Sequence, residues 1–508
     1  MTPARGNATQ VIIIGAGPAG LTAAYELTRL QRCALVLEKS ATVGGLARTE
    51  RYRGFHFDIG GHRFFTRAEE VAKLWCEVLG DDLLVRPRLS RIYYGQKFFY
   101  YPLQPANTLR GLGLWRGLLI VLSYLKWQLF PYEREDTFEQ WVTNHFGRKL
   151  FLAFFKTYTE KVWGIPCSEL KAEWAVQRIR NLSLRSAVLQ MYRKPHRPIR
   201  TLIEEFRYPR LGPGMMWRAV ASRVESGGGQ VRLNAEVVKI LLSGDRIEGV
   251  IVTNGNGQEL IRGNDYISSM PLAELIHKLD PSPAPAILAA AGRLRYRDFL
   301  TVCLILRRAH LFPDNWIYVH DPGVKVGRIQ NFKNWSADMV PDPEKSTLGL
   351  EYFCTEGDDL WRMPDGDLIE LGKREIERIG LAAATEVEDG CVFRAPRAYP
   401  IYDTTYQSVL SCVRDFLAGI ENFQTIGRNG LHRYNNQDHA MLTGMLAARN
   451  IVLDERNDLW AVNLDEEYHE EVRATVRSDE GRRPTSRRSP PRELNPGDGA
   501  VSTRPAGR

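Results

Sequence analysis

Three glycines and one carboxylate near the start of the chain have the types and spacing to hold a dinucleotide. Gly15-Ala16-Gly17-Pro18-Ala19-Gly20 follows directly on the apolar run Val11-Ile12-Ile13-Ile14, and Glu38 lies 23 residues after Gly15. In such a motif the first glycine makes a tight turn and the second admits a pyrophosphate against the backbone. The third lets helix and strand pack closely, while the acid accepts a ribose hydroxyl. Other chemistries lack their residues. There is no GxSxG, no convincing Cys/His pair, no CxxC and no metal-ligand pattern. A bound dinucleotide is the chemistry these residues point to.

The elements around these residues agree with that reading. Val11–Ile14 reads as a central parallel strand, 21–30 as a helix that receives the pyrophosphate on its N-terminus, and Ala34–Leu37 as a second parallel strand. The next segment, Val43-Gly44-Gly45-Leu46-Ala47-Arg48-Thr49, resembles the second glycine motif of glutathione-reductase-like FAD proteins. This resemblance makes FAD the expected cofactor.

The 508 residues, 44% of them hydrophobic, suffice for two to four units at about 150 residues each. Seven scattered cysteines fit no disulfide framework, which favours a reduced, cytoplasmic setting. No apolar signal segment opens the chain. The net charge of +8 is concentrated at the end: residues 473–508 hold nine arginines against four acids, a net of +5, which leaves +3 elsewhere. A solvated, disordered basic tail over 472–508 is expected, and no nucleic-acid partner.

Further along, Phe57 to Phe65 contains the pair Gly60-Gly61 followed by His62, and two adjacent glycines allow close approach to a ring system. Arg91 to Tyr101 reads as a hairpin turning at Gly95-Gln96. Residues 105–206 read as a helical insertion. Within it the longest apolar stretch, Leu112 to Phe130, has only nine residues between Arg116 and Lys126, too few to span a bilayer. A buried or half-buried helix is expected there, with contact to a membrane surface as the alternative. Tyr158 and Trp163 are five apart and would not share a helix face, but Gly164 and Pro166 end the helix and free Trp163. Strands return over 207–298 and 299–400, and a late glycine turn, Gly427 to Gly430, feeds a last helix from Asp438. The expected architecture is α/β: an FAD-binding Rossmann-like domain in three parts (1–104, 207–298, 401–471), the helical insertion, and an antiparallel substrate-side sheet over 299–400.

Tyr158-Thr159-Glu160-Lys161-Val162-Trp163-Gly164, Gly61-His62 and the arginines at 178, 297 and 328 resemble the flavin-dependent mutases typified by UDP-galactopyranose mutase, and the likeness runs from Val11 to Asn450. It implies a nucleoside-diphosphate sugar substrate, pyranose–furanose interconversion and covalent catalysis through N5 of reduced FAD, with NAD(P)H as one candidate reductant. It further implies catalytic roles for His62, Arg297 and Arg328, and substrate contacts from Tyr158, Trp163, Arg178, Glu351, Tyr399, Tyr434 and Asn436. The flavin side falls to Gly15, Gly17, Ala19, Gly20, Glu38, Lys39, Gly45, Leu46, Gly61, His62, Val237, Gly427, Arg428, Asp438 and Met441. Two departures bear on specificity: Arg178 follows a one-residue insertion, and Tyr434-Asn435-Asn436-Gln437-Asp438-His439 replaces a more tyrosine-rich run. The same chain also resembles the wider group of protoporphyrinogen oxidases, amine oxidases and carotenoid desaturases, which implies an FAD oxidoreductase as the alternative. Monomer and homodimer both stay open.

Overall fold

The computed structural model describes residues 10–173, 205–255 and 257–463. Strand β1 (Gln10–Ile14) is buried from Val11 onward and pairs in parallel with β2 (Cys33–Leu37) on one side and with Asp265–Ser268 on the other. Its β-branched side chains suit a strand covered on both faces. Gln230–Arg232 and Phe423–Thr425 complete a five-stranded sheet, with β1 at its centre. Helix α1 (Pro18–Arg29) covers one face, and the last long helix, Gln437–Leu453, packs against it. That packing is close because Gly444 faces the Ala19 carbonyl, where a Cβ would collide. Chain segments more than two hundred residues apart thus build one nucleotide-binding layer.

A seven-stranded sheet forms the other side, in the order Val387–Pro400, Tyr296–Leu306, Ser346–Cys354, Arg328–Asn331, Trp316–Val319, Ser90–Tyr94, Lys97–Tyr100. Its pairs are antiparallel except that Trp316–Val319 runs parallel to Ser90–Tyr94. The hairpin 90–100, assigned from sequence to the first FAD segment, is therefore hydrogen-bonded into this second sheet. Glu205–Pro209 forms a strand paired with Leu83–Pro87. Tyr208 at its end donates to the buried carboxylate of Asp58.

The insertion comprises α2 (Pro105–Leu112), α3 (Leu114–Leu129), α4 (Phe138–Phe146) and a wide helical turn, 151–156, running into α5 (Thr157–Trp163). Helix α4 starts at a capping box in which Gln140 N–H donates to Thr137 Oγ1 and Gln140 Oε1 accepts from Thr137 N. Of the two degrees of burial expected, α3 shows the lesser: none of its side chains is fully buried, Ile120 packs partly buried on the core, and Leu114, Trp115 and Leu129 are each more than 70% exposed. Helical periodicity identifies an apolar face but not the side of the molecule it looks toward. Arg178 and the basic tail lie outside the described residues.

Candidate functional site

The two glycine motifs meet face to face. Gly15 takes φ +100° as the chain leaves β1, and its N–H donates to Leu37 O at 2.8 Å. Gly44 (φ +108°) donates to Ala16 O at 2.8 Å, and a Cβ on Gly45 would lie 3.2 Å from Gly17 Cα. Positive φ values of this kind favour glycine. Pro18 opens α1 at a position where no N–H is needed. Glu38 closes the cradle, its carboxylate accepting from Ala16 N at 2.7 Å and Ser40 N at 2.9 Å. Gly20 faces away from the cavity into the Gly15 carbonyl, the packing role of a third glycine.

From this cradle a cavity of about 980 Å³ runs between the two sheets. Gly15, Gly17, Ala19, Glu38, Lys39, Gly45, Leu46 and Val237 line one end, followed by Gly61, His62, Gly427, Arg428 and Asp438. Tyr158, Trp163, Arg328, Tyr399, Tyr434 and Asn436 line its far part. The last helix points its N-terminus here, through Asn436, Gln437 and Asp438. A cavity lined by a glycine cradle, helix N-termini and paired glycines fits FAD in donor chemistry.

Two strands deliver the central charge. Arg328 and Glu351 are directly opposed in the antiparallel ladder, so their side chains share a face. The guanidinium donates to both carboxylate oxygens, at 2.9 and 2.5 Å, and Gln330 Nε2 adds a bond to Glu351 Oε1 at 2.8 Å. Burial alone would lower the Arg328 pKa, but the Glu351 charge overrides it and holds the pKa well above the ordinary value. Glu351 is wholly buried beneath Arg328 and is not part of the cavity wall. Arg428 donates to Asn435 O and Ala398 O, at 2.8 and 3.0 Å, and lies over the rings of Tyr399 and Tyr434. Those two rings are themselves stacked, with centroids 5.6 Å apart.

His62 Nδ1 lies 3.1 Å from Gly60 O, which can only accept, so Nδ1 carries the proton. Burial first, then the charges of Arg428 and Arg328, push its pKa down to about 3, and the imidazole is neutral. Tyr158 stacks on His320 at 4.7 Å, and Lys161 beneath them donates to the carbonyls of Val319, Asp321 and Val326. Gly164, at φ +67°, ends α5 and leaves Trp163 in the cavity wall.

Besides Gly20, three residues assigned to the site by resemblance do not line the cavity. Arg297 is directed under Gly164, where its guanidinium donates to Thr355 Oγ1 (2.6 Å), Phe353 O (3.0 Å) and Lys161 O (3.4 Å). The carbonyl end of α5 attracts the cation and holds it out of the cavity wall. Met441 packs on Trp75 in the core, and Glu351 serves Arg328. Sequence reasoning missed Gln330 and His320, whose roles arise from strand register and ring stacking across 162 residues of chain.

A family profile described as flavin containing amine oxidoreductase matches residues 18–452. The chain belongs to this family. It is a flavin enzyme, and the cradle is that of the family's FAD-binding fold. The structure is similar to that of reduced UDP-galactopyranose mutase, with a TM-score of 0.77 at 22% identity over 90% of this chain and 98% of that one. A protein from Exiguobacterium sp. 255-15, provisionally named a protoporphyrinogen oxidase, aligns with TM-score 0.68 at 16% identity over 89% of this chain and all of that one. These two likenesses are of fold. In sequence, 125 residues are 28% identical to the L-amino-acid oxidase of Sistrurus catenatus edwardsii, spanning 22% of this chain but only 24% of that relative. No helix among the described residues is long and apolar enough to cross a membrane.

Proposed function

We propose that this flavoprotein is a sugar-nucleotide mutase, interconverting the pyranose and furanose forms of a nucleoside-diphosphate sugar. The observation that carries the reading is the joining of Tyr158 and Trp163 with Arg328 and Arg428 in one cavity beside Gly60-Gly61-His62. When bound and reduced, FAD supplies the nucleophile for the anomeric carbon. The chain's own residues bind and orient. Tyr158, stacked on His320 and lining the cavity, is the proposed platform for the base. Arg328, steadied by Glu351, and Arg428, steadied by two carbonyls, present guanidinium groups suited to a diphosphate. Neutral His62, with its proton on Nδ1, offers an unprotonated Nε2 toward a sugar hydroxyl. NAD(P)H is the proposed reductant.

A second reading is favoured by a different part of the cavity. Leu103, Phe138, Phe146, Leu150, Phe154 and Phe155 line it with apolar surface alone. That lining suits an oxidoreductase that takes a hydride from a large apolar substrate. The test is titration of oxidised and dithionite-reduced protein with nucleoside diphosphates, followed by chromatography of nucleotide sugars incubated with the reduced form. The mutase reading expects a perturbed flavin spectrum and ring interconversion, with Tyr158→Leu weakening binding about tenfold while FAD is retained. Failure of every nucleoside diphosphate to bind, together with oxygen consumption driven by an apolar or amine substrate, selects the oxidoreductase.

A further inference from the structure

Helix α3 leaves a broad apolar stripe uncovered. Its other side is half-buried against the protein: Ile120 packs on the core, Ser123 Oγ accepts from Lys149 N at 3.1 Å, and Gln128 Nε2, at the margin, donates to Asn144 O at 2.8 Å. Its backbone approaches the next helices closely, since a Cβ on Gly147 would lie 2.8 Å from Tyr124 Cα. An unbroken apolar stripe faces out. Leu114, Leu118, Val121, Leu122, Leu125 and Leu129 fall at intervals of four, three, one, three and four residues and range from 44% to 78% exposed. On a 3.6-residue helix they gather into an arc about 100° wide. No charged residue interrupts the arc.

The charge along this stretch of chain has one sign. From Pro105 to Tyr132 the chain holds Arg110, Arg116 and Lys126 and no acid. Acids begin at Glu133, beyond the helix, where Glu135 accepts from Asn144 Nδ2 and lies 3.6 Å from His145. Two copies apposed through this face would bring six cations together, whereas an anionic lipid surface would neutralise all three of each copy. The helix, with 16 residues, is about 24 Å long, short of the roughly 30 Å bilayer core. Its geometry is that of a helix lying in the interface.

We propose that the outward face of α3 docks the protein flat onto an anionic bilayer, its leucines in the acyl boundary and Arg116 and Lys126 at the level of the lipid phosphates. The site adjoins the cavity, because Tyr101, Leu103 and Gln104 line that cavity and lead directly into α2 and α3. The docking reading is independent of which substrate the flavin serves.

The experiment is flotation of the full-length holoprotein with vesicles of phosphatidylcholine, alone or mixed with phosphatidylglycerol. Binding that increases with phosphatidylglycerol is expected. Leu118→Asp/Leu125→Asp, at positions 48% and 51% exposed, keeps wild-type flavin content and melting temperature. It should lower partitioning roughly a hundredfold. Arg116→Glu/Lys126→Glu should cost roughly tenfold on anionic vesicles and little on neutral ones. Three results would overturn the proposal: no flotation of the wild type, flotation that survives the leucine substitutions but disappears on truncation after Glu471, or a dimer that these substitutions dissociate without any vesicle binding.

Discussion

Gly17 and Gly20 belong to one motif, yet their surroundings separate cofactor binding from folding. An added Cβ at Gly17 meets only Gly45 Cα, at 3.9 Å, an ordinary van der Waals contact, and α1 begins there with unstrained extended backbone (φ −78°). An added Cβ at Gly20 overlaps the Gly15 carbonyl oxygen and lies 3.1 Å from its carbon and 3.3 Å from Ile13 Cγ2, all on the rigid β1–α1 turn. Gly17→Ala should therefore leave the apoprotein within about 0.5 kcal/mol of wild type, while its methyl occupies the space of the pyrophosphate. Gly20→Ala should cost roughly 1–3 kcal/mol or more through overpacking. Thermal melts of flavin-stripped and flavin-loaded protein separate the two effects, since a ligand of the native state stabilises by RT ln(1 + [L]/Kd). The Gly17 variant should match wild type when stripped and lose most of the flavin-induced rise, with low flavin absorbance after purification. The Gly20 variant should melt several degrees lower even when stripped. Wild-type flavin occupancy in Gly17→Ala, or an unshifted stripped melt in Gly20→Ala, would refute the reasoning.

Removing one partner of the Arg328–Glu351 pair leaves a largely buried charge, so Glu351→Ala should lower stability by roughly 3–5 kcal/mol, whereas replacing both by methionine should recover most of it. Chemical denaturation of the three proteins measures this. His320 and His432 have pKa values pushed down to about 3 and about 4, chiefly by burial. The unfolded chain takes up their protons near pH 6.5, so the stability they contribute is complete above that pH and is lost as pH falls toward 4 and 3. His432→Asn should move the acid-unfolding midpoint, followed by circular dichroism, to lower pH. Asp58 has the opposite sign: burial raises its carboxyl to about 7 despite hydrogen bonds from Tyr208 and Thr49. Native protein keeps this proton where the unfolded chain has released it, so stability falls as pH rises from about 4 to 7 and levels off above, and Asp58→Asn should flatten that decline in a series of melts from pH 4 to 8.

The β1–turn–α1–β2 unit was legible because its causes are local. A β-branched run, glycines that reach positive φ and an acid at the strand end act within forty residues, and the same holds for the end of α5 at Gly164. The contents of the cavity wall were legible where a motif is contiguous, as from Tyr158 to Trp163. Tertiary structure decided what depends on register and on docking. Whether Arg328 meets Glu351 is set by a one-residue choice of strand pairing, and Gln330 joins them because it lies two residues along the same face. Arg297 is an inviting cation in the sequence, but the carbonyl end of a helix from another segment captures it. His320 reaches Tyr158 only because the second sheet brings Trp316–Val319 beside the helical insertion. The apolar stripe of α3 is written plainly in the sequence, since periodicity depends only on residue spacing. Its outward direction is not, because that is settled by tertiary contacts on the opposite side of the helix, where Ile120 packs on the core and Ser123 accepts from Lys149 N.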